Sequence, residues 1–170
     1  MAINSATNSA TAYLDNAATT AMVPEAVLAM SQQLGIVGNA SSLHAAGRSA
    51  RKVVEESREA IADAVGASPS EVIFTASGTE ANNLALKGFY WHRFAEGRNS
   101  IVTSPIEHHA ILDPLEWLVE HENAKWLELD VDQDGQVKVQ DAKEMIEAEA
   151  NSISLISIMH SNNEVGSIQP

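Results

Sequence analysis

The sequence predicts an α/β fold in which a mainly parallel sheet is flanked by helices. Short apolar runs of strand type alternate with longer segments whose apolar residues recur at helical spacing. This order is typical of parallel sheets with helical crossovers. Hydrophobic residues make up 45% of the 170 residues and charged residues 19%, an ordinary balance for a globular chain long enough to bury a core.

The predicted elements follow one another from Pro24, a residue well suited to the first turn of a helix. A loop rich in Gly, Asn and Ser separates this first helix from a second, at residues 48–65, which Gly66 is placed to cap. Strands and helices alternate in the remainder of the chain. The strands are predicted at residues 71–75, 101–103, 125–129 and 153–159, and the helices at residues 80–94, 111–120 and 140–150.

Composition excludes several classes of protein. Acidic residues outnumber basic ones 23 to 10, and a net charge of -13 argues against nucleic acid as a partner. The chain has no cysteine, so it contains neither a disulfide nor a cysteine nucleophile. No apolar run is long enough to span a bilayer, so no membrane partner is expected. Residues 1–12 lack the features of a secretion signal, and we expect a disordered tail there and a cytoplasmic protein.

The segment at residues 72–88 carries the first chemical signal, because a strand there runs through a small turn into a helix. Free backbone N–H groups and the positive end of the helix dipole favour an anion at such a corner. Gly78 permits close approach and Thr79 offers a hydroxyl, so a phosphate or carboxylate site is one interpretation. The alternative is that Ser77 and Thr79 only cap the helix.

Two further polar segments follow predicted strands, where ligands of open α/β sheets bind. His108 and His109 come after one strand, and because neighbouring side chains diverge, at most one of them is expected to face a ligand. For the same reason Glu107 and these histidines make a poor metal site. Asn163 follows another strand and offers both a donor and an acceptor. The alternatives are a structural histidine and an Asn-rich turn that ends at Gly166.

Residues 130–141 imitate a calcium-binding loop, with Asp at positions one, three and five and Gly at position six. The twelfth position is Asp where Glu is usual, and a strand, not a helix, is predicted before the loop. We therefore predict a solvated Asp-Gly hairpin turn and no metal site.

Taken together, these segments resemble the pyridoxal-phosphate-dependent cysteine desulfurases of the NifS and IscS type, within the class V aminotransferase-like enzymes of fold type I. The resemblance extends from Tyr13 to Pro170, in the family's order and at close to its spacing. The segments that carry it are residues 13–20, similar to the family's opening strand, and residues 38–48, 74–83, 107–108 and 157–166.

The resemblance implies a cofactor, a reaction and roles for four residues. Gly78 and Thr79 align with the pair that binds the phosphate of pyridoxal 5'-phosphate. His108 aligns with the catalytic imidazole that stacks on the pyridine ring and helps with proton transfers. Asn163 aligns with a residue near the ring hydroxyl and the substrate carboxylate. The implied reaction converts L-cysteine to L-alanine and an enzyme persulfide for iron–sulfur cluster or thiocofactor assembly, in a homodimer with a sulfur-acceptor or scaffold protein as partner.

The resemblance also implies that residues 13–170 are the N-terminal segment and first half of a truncated large domain. The family's cofactor lysine and sulfur-accepting cysteine would follow Pro170, so we expect the chain alone to be inactive. Within the matched region, residues 76–79 read Ala-Ser-Gly-Thr where many relatives have Ser-Gly-Ala-Thr. The alternatives are a selenocysteine lyase or another class V enzyme, and a non-catalytic binding or interaction module.

Overall fold

The computed structural model describes residues 12–170, in two compact units that meet in sequence between Ile73 and Phe74. The predicted tail at residues 1–12 lies, except for Ala12, outside the described residues. None of the helices within residues 12–170 combines the length and apolarity needed to cross a bilayer.

The first unit is helical, as its sequence predicts. His44 caps the second helix, where its Nδ1 atom accepts a hydrogen bond from the Gly47 amide at 3.3 Å. Gly66 ends that helix in the left-handed conformation with φ 69°, which confirms the predicted cap. The helices are α1 (Pro24–Leu34), α2 (Ala45–Val65) and a short 3-10 helix (Pro69–Glu71).

Residues 13–20 form no strand, so the prediction of an opening strand is wrong. The Tyr13 hydroxyl donates to the carbonyls of Asp15 at 2.8 Å and Thr19 at 3.1 Å. The Thr19 amide also donates to the Asp15 carbonyl, at 3.3 Å. These local bonds curl the segment, and a curled backbone cannot form the ladder of a strand.

The strand predicted at residues 71–75 is also absent. Val72 has an extended backbone, with φ −91° and ψ 120°, but its polar groups are used locally. Its amide donates to the Pro69 carbonyl at 3.2 Å, and its carbonyl accepts from the Arg58 guanidinium. A strand needs a paired neighbour, and apolar composition alone does not supply one.

The second unit is an α/β layer structure, which confirms the predicted fold class. Its three strands are all parallel and lie in the order β2-β1-β3. The central strand pairs Ile101 with Trp126 on one side and with Leu155 on the other. The strands are β1 (Ser100–Thr103), β2 (Lys125–Glu128) and β3 (Ile153–Ser157), and the helices are α3 (Gly78–Phe94), α4 (His109–Glu122) and α5 (Val139–Ala148).

Successive side chains of β1 point to opposite faces of the sheet, and helices cover both of these apolar faces. Ile101 packs in a buried cluster with residues of α3 and α4, namely Leu86, Tyr90, Leu115 and Leu118. Val102 packs in a second cluster that includes Leu129 and Ala142 of α5. The first cluster contains residues of both α3 and α4, so these two helices pack together against the same face of the sheet, and α5 packs against the other.

The segment that imitates a calcium loop is the predicted Asp-Gly hairpin turn. Val131 and Val137 form an antiparallel bridge, and Gly135 has φ 75°. The Asp132 carboxylate accepts hydrogen bonds from the amides of Asp134 and Gln136, each at 2.9 Å. The turn therefore uses this carboxylate to satisfy its own backbone.

Candidate functional site

The N-terminus of α3 forms a corner with free backbone donors. Ser77 is its N-cap, and the Ser77 hydroxyl accepts from the Glu80 amide at 3.1 Å. The Glu80 carboxylate accepts from the Ala76 amide at 2.7 Å. The amides of Gly78 and Thr79 belong to the first turn, which offers them no intrahelical acceptor. These two amides and the helix dipole are what the corner can present to an anion.

The capping alternative is confirmed for Ser77 and wrong for Thr79. Thr79 is the second residue of α3, so its side chain is not in the capping position. A Cβ atom added to Gly78 would meet no described atom within 4 Å, so the space beside Gly78 is open.

His108 is the N-cap of α4, and the capping bond fixes the tautomer of its ring. Its Nδ1 atom accepts a hydrogen bond from the Ala110 amide at 2.9 Å. An acceptor nitrogen carries no proton, so the ring proton lies on Nε2 while this bond holds.

His109 diverges from His108, as expected for neighbours in sequence. Its Nδ1 atom lies 2.9 Å from Asp113 Oδ1 at the surface. The hydrogen bond to Asp113, helped by the charges of Asp113 and Glu116, raises the pKa of His109 above its ordinary value.

Thr79 and His108 lie in the wall of one cavity of about 480 Å³ between α3 and α4. This volume is within the range of small-molecule sites, roughly 300–1,000 Å³. The wall is made of Thr79, Asn83 and Lys87 from α3, and of His108, His109, Ala110, Asp113, Pro114 and Trp117 from the start of α4.

Lys87 and Trp117 are wall residues that the sequence analysis missed. The Lys87 ammonium lies 4.6 Å from the centre of the Trp117 ring, a cation–π contact. The sequence contains a signal for Lys87, since residues 79, 83 and 87 recur every four positions and share one helical face. Lys87 thereby brings a positive charge to the wall that contains Thr79.

Asn163 lies with His108 in the wall of a second cavity, of about 500 Å³, and not in the wall that contains Thr79. The side-chain amide of Asn163 donates to the Glu164 carboxylate at 3.2 Å. The segment around it is an Asn-rich turn, which the sequence analysis left open as an alternative, and a bond from the Gly166 amide to the Asn162 carbonyl closes it at 3.0 Å. His108 is therefore common to both cavities.

The described residues contain no group of three or more His, Asp or Glu side chains that could hold a metal ion. The Glu107 carboxylate instead accepts hydrogen bonds from the Ser104 hydroxyl and the Met159 amide.

Residues 12–170 match the family model described as aminotransferase class-V. The chain belongs to this family. Among curated class-V relatives it is 54% identical over 161 residues to an IscS-like cysteine desulfurase of Mycobacterium tuberculosis, covering 94% of this chain and 41% of the relative. It is 45% identical to a putative cysteine desulfurase, IscS 1, of Bacillus subtilis, covering 93% of this chain and 41% of the relative. The chain thus spans about two fifths of the length of these relatives.

Solved structures agree with this family membership. A NifS-like protein superposes with a TM-score of 0.83 at 36% identity, over 92% of this chain and 42% of that one. A structure described as SspA in complex with cysteine superposes with a TM-score of 0.82 at 34% identity, over 94% of this chain and 45% of that one. The chain therefore shares its fold with parts of the NifS-like protein and of SspA.

Proposed function

We propose that this class-V chain contributes part of a pyridoxal 5'-phosphate site to a cysteine desulfurase acting on L-cysteine. The observation that carries the proposal is that Thr79 and His108, from separate helices, line a single cavity. The names of the relatives and the family's order of motifs support the choice of reaction.

The residues around this cavity fit a phosphorylated pyridine. The amides of Gly78 and Thr79 and the Thr79 hydroxyl would hold the phosphate, helped by the positive end of α3. The Lys87 ammonium in the same wall reduces the cost of bringing an anion to a protein whose net charge is -13. When bound, pyridoxal phosphate supplies an electron sink that allows the proton on the substrate Cα to leave.

His108 would cover the ring of the cofactor and hold or move a proton through Nε2. Its Nδ1 atom is occupied by the Ala110 amide, so proton exchange there would require the cap of α4 to open. The helix start thus selects which nitrogen serves the reaction, and it holds the imidazole at the edge of the cavity.

Asn163 would lie near the ring hydroxyl and the substrate carboxylate, since an amide can serve both as donor and as acceptor. Its position in the same cavity wall as His108 supports this role. The homodimer, a sulfur-acceptor or scaffold partner, the delivery of sulfur to iron–sulfur or thiocofactor assembly and a cytoplasmic location belong to the same proposal and rest on the family resemblance.

Equilibrium dialysis of the chain against pyridoxal phosphate, pyridoxal and inorganic phosphate tests the proposal. We expect pyridoxal phosphate to bind most tightly, because both the corner at α3 and the His108 ring contribute. Thr79→Val removes a hydrogen bond to a charged group, about 1.5–3 kcal/mol, and is expected to weaken pyridoxal phosphate roughly tenfold to a hundredfold. The same variant should leave the affinity for pyridoxal unchanged.

His108→Asn is the matched variant for the ring, because Asn is a favourable N-cap and keeps an acceptor for the Ala110 amide. We expect it to weaken both pyridoxal phosphate and pyridoxal while leaving helix content unchanged by circular dichroism. Equal binding of the two ligands to the wild-type chain, together with no effect of either variant, would contradict the proposal.

A further inference from the structure

The loops that carry His108 and Asn163 are joined by buried polar side chains. The buried polar residues of the described chain are Ser100, Thr103, Ser104, Glu107 and Asn162. All but Ser100 lie at or beyond the carboxyl ends of β1 and β3, where the candidate site is. Burying a polar group costs free energy unless the group is hydrogen-bonded, so the hydrogen-bond partners of each group indicate its structural role.

Glu107 ties the loop after β1 to the segment after β3. It is 8% exposed, and its Oε1 atom accepts from the Ser104 hydroxyl at 2.9 Å and from the Met159 amide at 2.7 Å. The first bond is within its own loop and the second crosses to the other segment.

Asn162 makes the reverse connection. It is 7% exposed, and its amide nitrogen donates to the Ile106 carbonyl at 2.7 Å. Its Oδ1 atom accepts from the amides of Glu164 at 2.8 Å and Val165 at 2.9 Å, which fixes the turn that contains Asn163.

We propose that Glu107 and Asn162 are positioning residues that form a reciprocal lock between the two loops and thereby orient His108 and Asn163. Each member of the lock immediately precedes one of the two site residues, so its fixed backbone sets where the next side chain begins. The two bonds that cross between the loops join residues 52 and 56 positions apart in the sequence. The placement of His108 therefore depends on a distant segment of the chain. This inference rests on the proposed function for the roles of His108 and Asn163, but the lock itself is a property of the polypeptide.

The lock is tested on the full chain, labelled with ¹⁵N and free of cofactor. Two-bond ¹H–¹⁵N correlations of the His108 ring report whether Nδ1 still accepts from the Ala110 amide. In Glu107→Ala we expect these ring signals to shift and the Ala110 amide to exchange with solvent about tenfold faster, the effect of losing one buried hydrogen bond. Glu107→Gln keeps an oxygen acceptor for both donors and is expected to restore the wild-type signals.

Asn162→Asp breaks the lock from the other loop. It replaces the side-chain donor to the Ile106 carbonyl by a carboxylate oxygen, which repels that carbonyl, and it retains the oxygen that accepts from the Glu164 and Val165 amides. We expect the same displacement of the His108 signals, with the turn intact. This variant also decides the question if Glu107→Ala does not fold.

Thr103→Val separates positioning from general destabilisation. The Thr103 hydroxyl donates to the Ser157 carbonyl at 2.7 Å, so its loss weakens the pairing of β1 with β3 outside the lock. We expect a lower urea midpoint with unchanged His108 ring signals. If Thr103→Val moves those signals as far as Glu107→Ala does, or if Glu107→Ala and Asn162→Asp leave them unmoved, the lock is overturned.

A separate titration with pyridoxal phosphate distinguishes the two proposals. If the lock holds and the proposed function is right, the dissociation constant rises in Glu107→Ala and recovers in Glu107→Gln. A wild-type chain that fails to bind pyridoxal phosphate overturns the proposed function alone, because the ring signals and amide exchange are measured without it.

Discussion

Replacing Tyr90 by Phe tests a hydrogen bond that joins α3 to α4, the two helices that begin at the candidate site. Tyr90 is 1% exposed on α3, and its hydroxyl donates to the Glu122 carbonyl at the end of α4 at 2.5 Å. The substitution keeps the aromatic ring and its buried area, so it removes the bond between α3 and α4 and little else.

The expected cost follows from the burial of Tyr90 and the partial burial of its hydrogen bond. A typical hydrogen bond contributes about 0.5–1.5 kcal/mol to stability, and an acceptor left without a donor costs about 1–3 kcal/mol. We therefore expect Tyr90→Phe to lower the free energy of unfolding by about 2 kcal/mol. Urea unfolding followed by far-ultraviolet circular dichroism measures this, and the dependence of the free energy on urea should not change.

Tyr13→Phe is the matched control, because Tyr13 is exposed and water can replace its bonds. We expect Tyr13→Phe to change the free energy of unfolding by no more than about 0.5 kcal/mol. The reasoning is refuted if Tyr90→Phe costs no more than Tyr13→Phe.

The ionisation of Tyr90 gives the same experiment a pH dependence. Burial, helped by the charge of Glu122, raises the pKa of Tyr90 above its ordinary value. The unfolded chain loses this proton near pH 10 while the folded chain retains it, so the contribution to stability is complete below about pH 10 and declines as the pH rises through the folded pKa. Tyr90→Phe should abolish this part of the alkaline decline.

Three further outcomes are expected. Asp113→Asn should lower the pKa of His109 toward about 6.5, because Asp113 is the main cause of its rise; an unchanged pKa in a proton NMR titration would contradict the assigned pair. Gly135→Ala should lower the free energy of unfolding, measured in urea, by about 1–3 kcal/mol, because φ is 75° and the new Cβ would lie 3.2 Å from Ser167 Oγ. Gly97 has φ 83° and no described atom within 4 Å of an added Cβ, so Gly97→Ala should cost less. After free pyridoxal phosphate is dialysed away, the chain should show no absorbance band of a protonated internal imine, because none of its lysines lies in the family's context for covalent attachment; a band of that kind, lost on adding cysteine, would show that expectation to be wrong.

The helices were predictable because the signals that begin and end them are local. Ser77 at the start of α3 and Gly66 at the end of α2 act within one turn of their own position. The strand predicted at residues 71–75 failed for the opposite reason. Apolar composition indicates that a segment can pair, whereas pairing depends on a neighbour elsewhere in the chain.

The sequence predicts candidate site residues, but it does not predict the contacts that hold them in place. Thr79 and His108 stand out because each follows a strand-like run and begins a helix. The burial of Glu107 could not be read from the sequence, because a glutamate beside two histidines is typical of a surface. Its partner Met159 is 52 residues away, so only the fold brings the two together.

The most direct test of the central claim is a titration of the ¹⁵N-labelled chain with pyridoxal phosphate. In the proposed site, the start of α3 and the His108 ring form one pocket. We expect the amides of Gly78 and Thr79 and the ring nitrogens of His108 to shift together, with a single dissociation constant. Shifts confined to one of these two elements, or shifts that follow two different dissociation constants, would contradict the claim.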